Sequence, residues 1–291
     1  MRIVDAQVHV WKDGKASAHH SRGRPEPFTA EDLLAEMQVA GVDCAVLAPP
    51  SWDPGGNRPA LEAVRKFPGR FSVTGEIDWL GPPAPERILA WCSQPGMHGL
   101  RLNFNNPEKQ SRITDGTVDW IWKAAEAADV PVMLLIPGGV MHVGSIAQRF
   151  PGLRLCVDHL GIPRGMKDLA AFEHLPQLLA LAKFPNVTTK AGGTPSYSSV
   201  DAFPYPSLHG HLRCVFDAFG PERIFWASDL TRMSCTYREI VTLFTEGIPW
   251  LSQNDKRLIM GDSICRWLRW NPDQAAPPKH SPETGTCTSR N

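Results

Sequence analysis

Near its amino end the chain reads Val4-Asp5-Ala6-Gln7-Val8-His9-Val10, a strict alternation of apolar and polar residues. Successive side chains of a β-strand point to opposite faces, so this spacing predicts a strand whose polar groups share one face. An apolar packing role does not explain a stripe that consists of Asp5, Gln7 and His9. We expect this face to point toward the interior of a barrel.

Seven more short runs rich in Val, Ile, Leu and Phe follow, and segments with helical spacing separate them. This alternation is expected of parallel βαβ units. The predicted strands are residues 2–11, 44–48, 71–78, 99–104, 131–136, 154–160, 187–191 and 224–229. The predicted helices are residues 29–40, 59–67, 85–92, 117–128, 141–150, 169–183, 208–219 and 255–268.

Eight crossovers without a polar edge strand favour a closed sheet over an open, doubly wound one. We therefore predict an α/β protein with a single-domain (β/α)8 TIM barrel over residues 1–271. Residues 272–291 are rich in Pro, Ser, Thr and Lys and lack an apolar period, which predicts a disordered tail.

The charge balance excludes several classes of partner. The 291 residues include 30 Lys and Arg and 30 Asp and Glu, so the formal net charge is zero. This balance predicts no broad basic surface for nucleic acid or anionic lipid. The longest apolar stretch, residues 130–136, is far too short to span a bilayer. The seven cysteines are scattered, with no C-x-x-C pair, as in reduced thiols. We expect a cytoplasmic globular protein with no nucleic-acid or membrane partner. The sequence leaves open whether it forms a homo-oligomer.

Functional side chains of such a barrel cluster at the carboxyl ends of the strands. The polar residues at these positions are Arg101 and Asn103 on the fourth predicted strand, Asp158 and His159 on the sixth, Lys190 on the seventh and Asp229 on the eighth. Asp158 could orient a neighbouring group or cap a loop, and we expect it to be structural. The other five form the candidate site together with Gln7 and His9.

Four segments carry a resemblance to a known family. They are VDAQVHVW at 4–11, GLRLNF at 99–104, VDHLG at 157–161 and FGPERIFWASD at 219–229. In this order they resemble the amidohydrolase superfamily. Within it, they are most similar to the TIM-barrel lactonases that include pyrone-dicarboxylate lactonase and sulfomuconolactone hydrolase. The resemblance spans residues 2–270.

The resemblance implies a hydrolase that opens an anionic lactone in aromatic or sugar-acid catabolism. It implies catalytic roles for Asp229 and His159, and a divalent metal such as zinc held by His9, His159 and Asp229. The family's first strand usually bears His-x-His, where this chain has Gln7-x-His9. Residues 134–136 are Leu-Leu-Ile where the family's fifth-strand ligand would stand, which excludes a binuclear site. Some lactonases of this branch work without metal, so metal use stays open.

The residue types by themselves indicate an activated water. Two imidazoles and a carboxylate suit a catalytic zinc, which needs about three protein ligands, and the Gln7 amide oxygen would be a weaker fourth donor. Without a metal, Asp229 would act as general base while His159 and a cation polarise the ester carbonyl.

Arg101 and Lys190, with Asn103, would bind an anionic group of the substrate, because Arg offers a fork of donors and Lys a point charge. Structural alternatives stand beside these roles. Lys190 could pair with Asp5 or Asp158 inside the barrel, and Arg101 could form an ion pair that closes it.

Other motifs are expected to be structural. The pairs His19-His20 and His209-x-His211 have metal-like spacing, but we assign them surface or loop roles. The glycine pairs at 138–139 and 192–193 lack the spacing and the partner residues of a phosphate-binding loop.

Two further functions remain as alternatives to the lactonase. Barrels that resemble this one also decarboxylate aromatic acids without oxidation, using a similar His and Asp set. A barrel that only binds ligand is suggested by Gln7 and by Leu230-Thr231 after Asp229, where the family commonly has Trp-Pro.

Overall fold

The computed structural model describes residues 1–16 and 24–274 of the chain. Eight parallel strands form one sheet, in which each strand pairs with the next along the chain. The strands are β1 (Val4–Val8), β2 (Cys44–Leu47), β3 (Phe71–Gly75), β4 (Met97–Asn103), β5 (Val132–Leu135), β6 (Leu155–Val157), β7 (Val187–Gly192) and β8 (Ile224–Ala227). The amide of Asp229 donates to the carbonyl of Gln7 at 3.1 Å, which joins the end of β8 to β1. The predicted (β/α)8 TIM barrel is confirmed.

Helices cover the outside of the barrel. They are α1 (Ala30–Ala40), α2 (Arg58–Lys66), α3 (Pro85–Leu89), α4 (Pro107–Thr114), α5 (Asp119–Ala127), α6 (Val143–Arg149), α7 (Asp168–Phe172), α8 (Leu175–Leu179), α9 (Pro206–Phe219), α10 (Tyr237–Thr242), α11 (Gln253–Arg257) and α12 (Ser263–Leu268). The sequence did not predict α4 and α10. The only residue of α4 that is buried is Ile113, so its apolar period is weak, and α10 has six residues. None of the described helices is long and apolar enough to cross a membrane.

Local signals set the helix ends where the sequence predicts them. In α1, the Thr29 hydroxyl accepts from the Asp32 amide and the Asp32 carboxylate accepts from the Thr29 amide, which is a capping box. Gly41, at φ 79°, ends the helix in the left-handed region. The predicted helix 169–183 instead breaks into α7, α8 and a 3-10 turn, and Pro176 stands in the first turn of α8.

Two apolar clusters determine which end of the barrel stays open. Strand and helix side chains pack together over most of the molecule. A smaller cluster joins residues near the amino ends of strands, such as Val4 and Phe225, to Trp267 and Trp270. The amino-terminal end is therefore filled, and the carboxyl-terminal end is left for a site.

The first strand contains an irregularity that the sequence does not reveal. Along β1, Asp5 pairs with Ala45 and Val8 with Leu47, so three steps on β1 match two on β2. Such a bulge moves later side chains to the other face. The carboxylate of Asp5 accepts from the Tyr237 hydroxyl of α10 at 2.6 Å, on the helix side of the sheet. The prediction that Asp5 shares one face with Gln7 and His9 was therefore wrong.

The sixth strand is shorter than predicted. β6 ends at Val157, and the next four residues form a 3-10 turn in which His159 and Leu160 have φ of 54° and 55°. Left-handed backbone is incompatible with a strand, so the predicted run to residue 160 was too long. The pair His19-His20, and residues 275–291 of the predicted tail 272–291, lie outside the described residues.

Candidate active site

A cavity of about 620 Å³ opens at the carboxyl ends of the strands. Six of the seven residues predicted for the site line it, namely Gln7, His9, Arg101, Asn103, His159 and Asp229. The seventh, Lys190, is fully buried and does not line the cavity. His209 and His211 lie in α9, where His209 contacts the Pro204 carbonyl and His211 stacks on Phe172, away from the cavity wall.

Asp229 is the centre of the site. Its Oδ1 lies 3.2 Å from Nε2 of His9, and its Oδ2 lies 3.6 Å from Nε2 of His159. The ring of His9 is oriented by Nδ1, which donates to the Ala48 carbonyl at 2.6 Å. The ring of His159 is oriented likewise by the Gly192 carbonyl at 3.1 Å. Both Nε2 atoms consequently point at one carboxylate.

The backbone holds Asp229 in an unusual conformation. Asp229 has φ of 47°, a left-handed value that non-glycine residues adopt at a cost. Asp5 accepts from the amide and the hydroxyl of Ser228, and Ser228 Oγ accepts in turn from the Leu230 amide at 3.0 Å. The residues on both sides of Asp229 are thus fixed by one buried carboxylate. Asp5 also accepts from the Gln7 amide at 3.0 Å.

The electrostatics favour an ionised Asp229 and a neutral His159. Burial would raise the pKa of Asp229, but Arg232, His159 and His9 outweigh it and hold that pKa well below its usual value. Burial lowers the pKa of His159 to about 4, against the opposing effect of Asp229. The site therefore combines a carboxylate with an imidazole that holds a lone pair at Nε2.

Gln7 takes its orientation from Lys190. The Lys190 ammonium donates to Oε1 of Gln7 at 2.8 Å. The amide nitrogen of Gln7 therefore faces the site, 3.2 Å from Nε2 of His159 and 3.4 Å from Oδ1 of Asp229. Gln7 presents N–H groups to the centre, and its oxygen is turned away.

Asp158 neutralises two buried cations. Its Oδ1 lies 2.8 Å from the Lys190 ammonium, and its Oδ2 accepts from Nε of Arg101 at 2.8 Å. Burial would raise the pKa of Asp158, but Lys190 and Arg101 outweigh it and the pKa falls below the usual range. Lys190 pairs with Asp158 and not with Asp5, and Arg101 pairs while still facing the cavity.

Sequence reasoning missed Arg232 and Tyr197. Arg232 follows Asp229 in a 3-10 turn, and its Nε donates to Oδ2 of Asp229. Its Nη2 donates to the Tyr197 hydroxyl at 3.0 Å, and both side chains line the cavity. The only signal was an arginine three residues after the predicted base, because nothing in the pattern says which way the loop turns.

The donor atoms allow a test of the metal prediction. A catalytic zinc takes about three imidazole or carboxylate ligands, and His9, His159 and Asp229 offer these atoms. Asp229, however, already pairs with Arg232, and Gln7 points N–H groups at the same place. In residues 1–16 and 24–274, no group of three or more His, Cys, Asp or Glu side chains is arranged to hold a metal ion. The donor chemistry suits a divalent metal, whereas the surrounding charges suit a guanidinium.

A TIM barrel with imidazoles and a carboxylate at its strand ends is an arrangement that can activate water for hydrolysis. The chain belongs to the Amidohydrolase family (Amidohydro_2), whose family model matches residues 4–270. The predicted membership of the amidohydrolase superfamily is confirmed.

Individual relatives show how far the similarity extends. L-fucono-1,5-lactonase of Burkholderia ambifaria is 25% identical over 234 residues, which are 78% of this chain and 79% of that protein. An amidohydrolase from Burkholderia multivorans with bound zinc superposes with a TM-score of 0.77 at 19% identity, covering 93% of this chain and 100% of the other. A probable 2-pyrone-4,6-dicarboxylic acid hydrolase from Acinetobacter baumannii with citric acid bound gives 0.69 at 16% identity, covering 93% and 100%. The two structural similarities confirm the fold.

Proposed function

We propose that this protein is a lactonase, a hydrolase that opens a cyclic ester by attack of water activated at Asp229. The observation that carries the proposal is the convergence of Nε2 of His9 and Nε2 of His159 on one ionised carboxylate. The relationship to L-fucono-1,5-lactonase supports a lactone as the substrate class.

The proposed reaction begins with a water bonded to Asp229. The carboxylate accepts a proton from this water as its oxygen attacks the carbonyl carbon of the lactone. The bond from that carbon to the ring oxygen then breaks, and the proton passes to the ring oxygen, which becomes a hydroxyl. The product is the open-chain hydroxy acid, so atoms and charge balance with one water consumed.

The two histidines have different roles in this scheme. Both ring nitrogens of His9 face acceptors, the Ala48 carbonyl and Oδ1 of Asp229. We assign His9 as the hydrogen-bond donor that polarises the lactone carbonyl. His159 is neutral and accepts from the Gln7 amide at 3.2 Å, which suits it to orient the water.

Arg101 and Asn103 are the proposed binding site for an anionic group on the substrate. Arg101 bonds Asp158 through Nε, so its terminal nitrogens have no hydrogen-bond partner within the described residues and can form a fork to a carboxylate. Oδ1 of Asn103 is buried and has no partner there either, so it can accept from a hydroxyl of the ligand, and the Nδ2 group is the atom that would donate to the carboxylate. Both residues lie on β4 and line the cavity, which supports their pairing on one ligand. Lys190 acts indirectly, through Gln7 and Asp158.

A divalent metal is an optional part of this proposal, because the reaction described above does not depend on one. The sequence predicts one, and the zinc held by the relative from Burkholderia multivorans supports it. Its ligands in this chain would be His9, His159 and Asp229, and when bound it would supply a Lewis acid for the carbonyl and a lower pKa for water.

The test is a panel of sugar-acid and carboxylated aromatic lactones, with acid release followed by a pH indicator. We expect turnover of at least one lactone, and a fall in kcat of about 10³-fold for Asp229→Asn, since general base catalysis contributes roughly 10²–10⁴-fold. Asp217→Asn is the matched control, because Asp217 is an exposed carboxylate on α9 that pairs with Arg213.

Three outcomes would contradict the proposal. Carbon dioxide release from aromatic acids, with no lactone opened, would assign the site to the decarboxylase alternative. Ligand binding without turnover would leave a barrel that only binds. Full lactone turnover by the Asp229→Asn variant would reject Asp229 as the base.

A further inference from the structure

Arg232 occupies a position that the proposed reaction leaves unexplained. It lies in the turn after β8, lines the cavity and donates through Nε to Oδ2 of Asp229. Its side chain is 15% exposed, so this ion pair is largely shielded from water. Because it is shielded, the guanidinium interacts strongly with the proposed base, and a metal would have to displace it.

Contacts with Tyr197 hold the guanidinium of Arg232 in position. Nη2 of Arg232 donates to the Tyr197 hydroxyl at 3.0 Å, and the guanidinium carbon lies 5.5 Å from the centre of the Tyr197 ring. These contacts combine a hydrogen bond with a cation–π arrangement. Arg232 is thus held from two sides, by Tyr197 and by Asp229.

The glycine pair at 192–193 provides the room. A Cβ at Gly193 would lie 2.4 Å from Nη2 of Arg232, and a Cβ at Gly192 would lie 2.7 Å from Nδ1 of His159. Gly193 also has φ of 66°, which favours glycine. The end of β7 is therefore shaped to admit both the guanidinium and the imidazole.

Gln7 completes a set of donors around the carboxylate. Because Lys190 holds Oε1 of Gln7, the amide nitrogen points toward Oδ1 of Asp229 at 3.4 Å while Arg232 holds Oδ2. A divalent ion approaching Asp229 would find one carboxylate oxygen bonded to the Arg232 guanidinium and the other facing the N–H group of Gln7. Both would have to move before the ion could bind.

We propose that Arg232 is the resident cation of this active site and competes with a divalent metal for the carboxylate of Asp229. The inference rests on the proposed function only in taking Asp229 as the reactive carboxylate. With Arg232 in place, divalent ions bind weakly. Without it, His9, His159 and Asp229 are left as a negatively charged ligand set of the kind zinc takes.

The experiment is a zinc titration of the metal-stripped protein against a chromophoric chelator, which requires no substrate. We expect Arg232→Ala to bind zinc at least tenfold more tightly than wild type, and Arg232→Lys, which keeps the charge, to remain weak. Arg232→Gln provides a second neutral variant if the alanine variant does not fold. Arg164→Ala is the matched control, because Arg164 also lines the cavity and lacks a contact to Asp229.

Several results would overturn the inference. Zinc affinity in Arg232→Ala that equals that of Arg164→Ala would show a general charge effect or none. Tight zinc binding that survives in the double variant Arg232→Ala with Asp229→Asn would place the ion elsewhere. Tight binding by wild type itself would show that Arg232 does not compete. Because these measurements use no lactone, they stand apart from a failure of the lactonase assay.

Discussion

Asp5 and Asp158 are two carboxylates buried to the same degree in one barrel, and their surroundings are opposite. Asp5 lies between the sheet and α10, where its oxygens accept, among the described residues, from neutral donors: the hydroxyls of Ser228 and Tyr237 and two backbone amides. Asp158 lies within the barrel and meets two cations, Arg101 and Lys190. Burial raises the pKa of Asp5, and hydrogen bonds from Ser228 and Tyr237 only reduce that rise. At Asp158 the cations reverse the effect of burial.

The difference teaches that burial alone does not set the charge of a carboxylate. Neutral donors stabilise an anion less than cations do, so the same side chain has its pKa moved in opposite directions. The two residues also serve the site differently. Asp5 fixes the backbone on both sides of Asp229, whereas Asp158 fixes the cations that orient Gln7 and face the substrate.

The largest loss of stability is expected for Asp158→Asn. This change leaves Lys190 and Arg101 buried without a carboxylate, and breaking a buried pair in this way costs roughly 3–5 kcal/mol. Asp5→Asn is the matched control, because it keeps the shape and strands no cation, and its cost is about 1–2 kcal/mol from weakened hydrogen bonds. Urea unfolding at pH 7 measures both free energies of unfolding.

The relative stability of these two variants tests the comparison between Asp5 and Asp158 directly. If Asp5→Asn destabilised the fold as much as Asp158→Asn, the charged partners of Asp158 would not distinguish the two environments. Lower expression of Asp158→Asn alone would not count, so unfolding must be measured on purified protein.

A smaller loss of stability is expected for Lys190→Met. Removing the ammonium leaves Asp158 with Arg101 and costs about 1.5–3 kcal/mol, the range for a hydrogen bond to a charged group. It also frees Oε1 of Gln7, so the amide can turn away from His159 and Asp229. We expect kcat to fall at least tenfold while KM stays nearly constant, measured with the best lactone of the panel.

The split between kcat and KM separates two roles for Lys190. A residue that bound the anionic group of the substrate would raise KM when removed. Lys256→Met is the matched control, because Lys256 is also buried and donates to the Thr245 carbonyl, away from the cavity. If KM rose in Lys190→Met and not in Lys256→Met, the result would show that Lys190 binds the substrate directly.

The sequence was sufficient for the barrel because its signals are local and repeat eight times. Short apolar runs, capping residues such as Thr29 and stops such as Gly41 each predict an element where the structure has one. The carboxyl-end rule then brought Asp229, His159 and Arg101 to one cavity, since parallel strands of a barrel end on the same side.

What the sequence could not provide are features that depend on where loops and strands meet in space. The alternation of residues 4–10 is perfect, and yet a bulge separates Asp5 from Gln7, because pairing with β2 determines register. Arg232 sits in a turn without a periodic pattern, so only the path of the loop brings it to Asp229. The choice between Asp5 and Asp158 as partner of Lys190 was open for the same reason.

The smallest expected effect is also the sharpest form of the comparison, because the two carboxylates should respond to pH with opposite signs. The pKa of Asp158 is lowered by folding, so its stabilisation is present above the unfolded value of about 3.9 and is lost as the pH falls. The pKa of Asp5 is raised by folding, so its stabilisation is present below about 3.9 and is lost as the pH rises through the folded value.

Urea unfolding of wild type, Asp5→Asn and Asp158→Asn between about pH 2.5 and pH 7.5 measures this response. The stability advantage of wild type over Asp158→Asn should shrink as the pH falls below about 4, and its advantage over Asp5→Asn should shrink as the pH rises above about 4. Each slope is at most about 1.4 kcal/mol per pH unit, the limit for one proton. Slopes of the same sign for both variants would mean that the hydroxyls at Asp5 stabilise its anion as the cations do at Asp158, and the contrast between the two environments would then be lost.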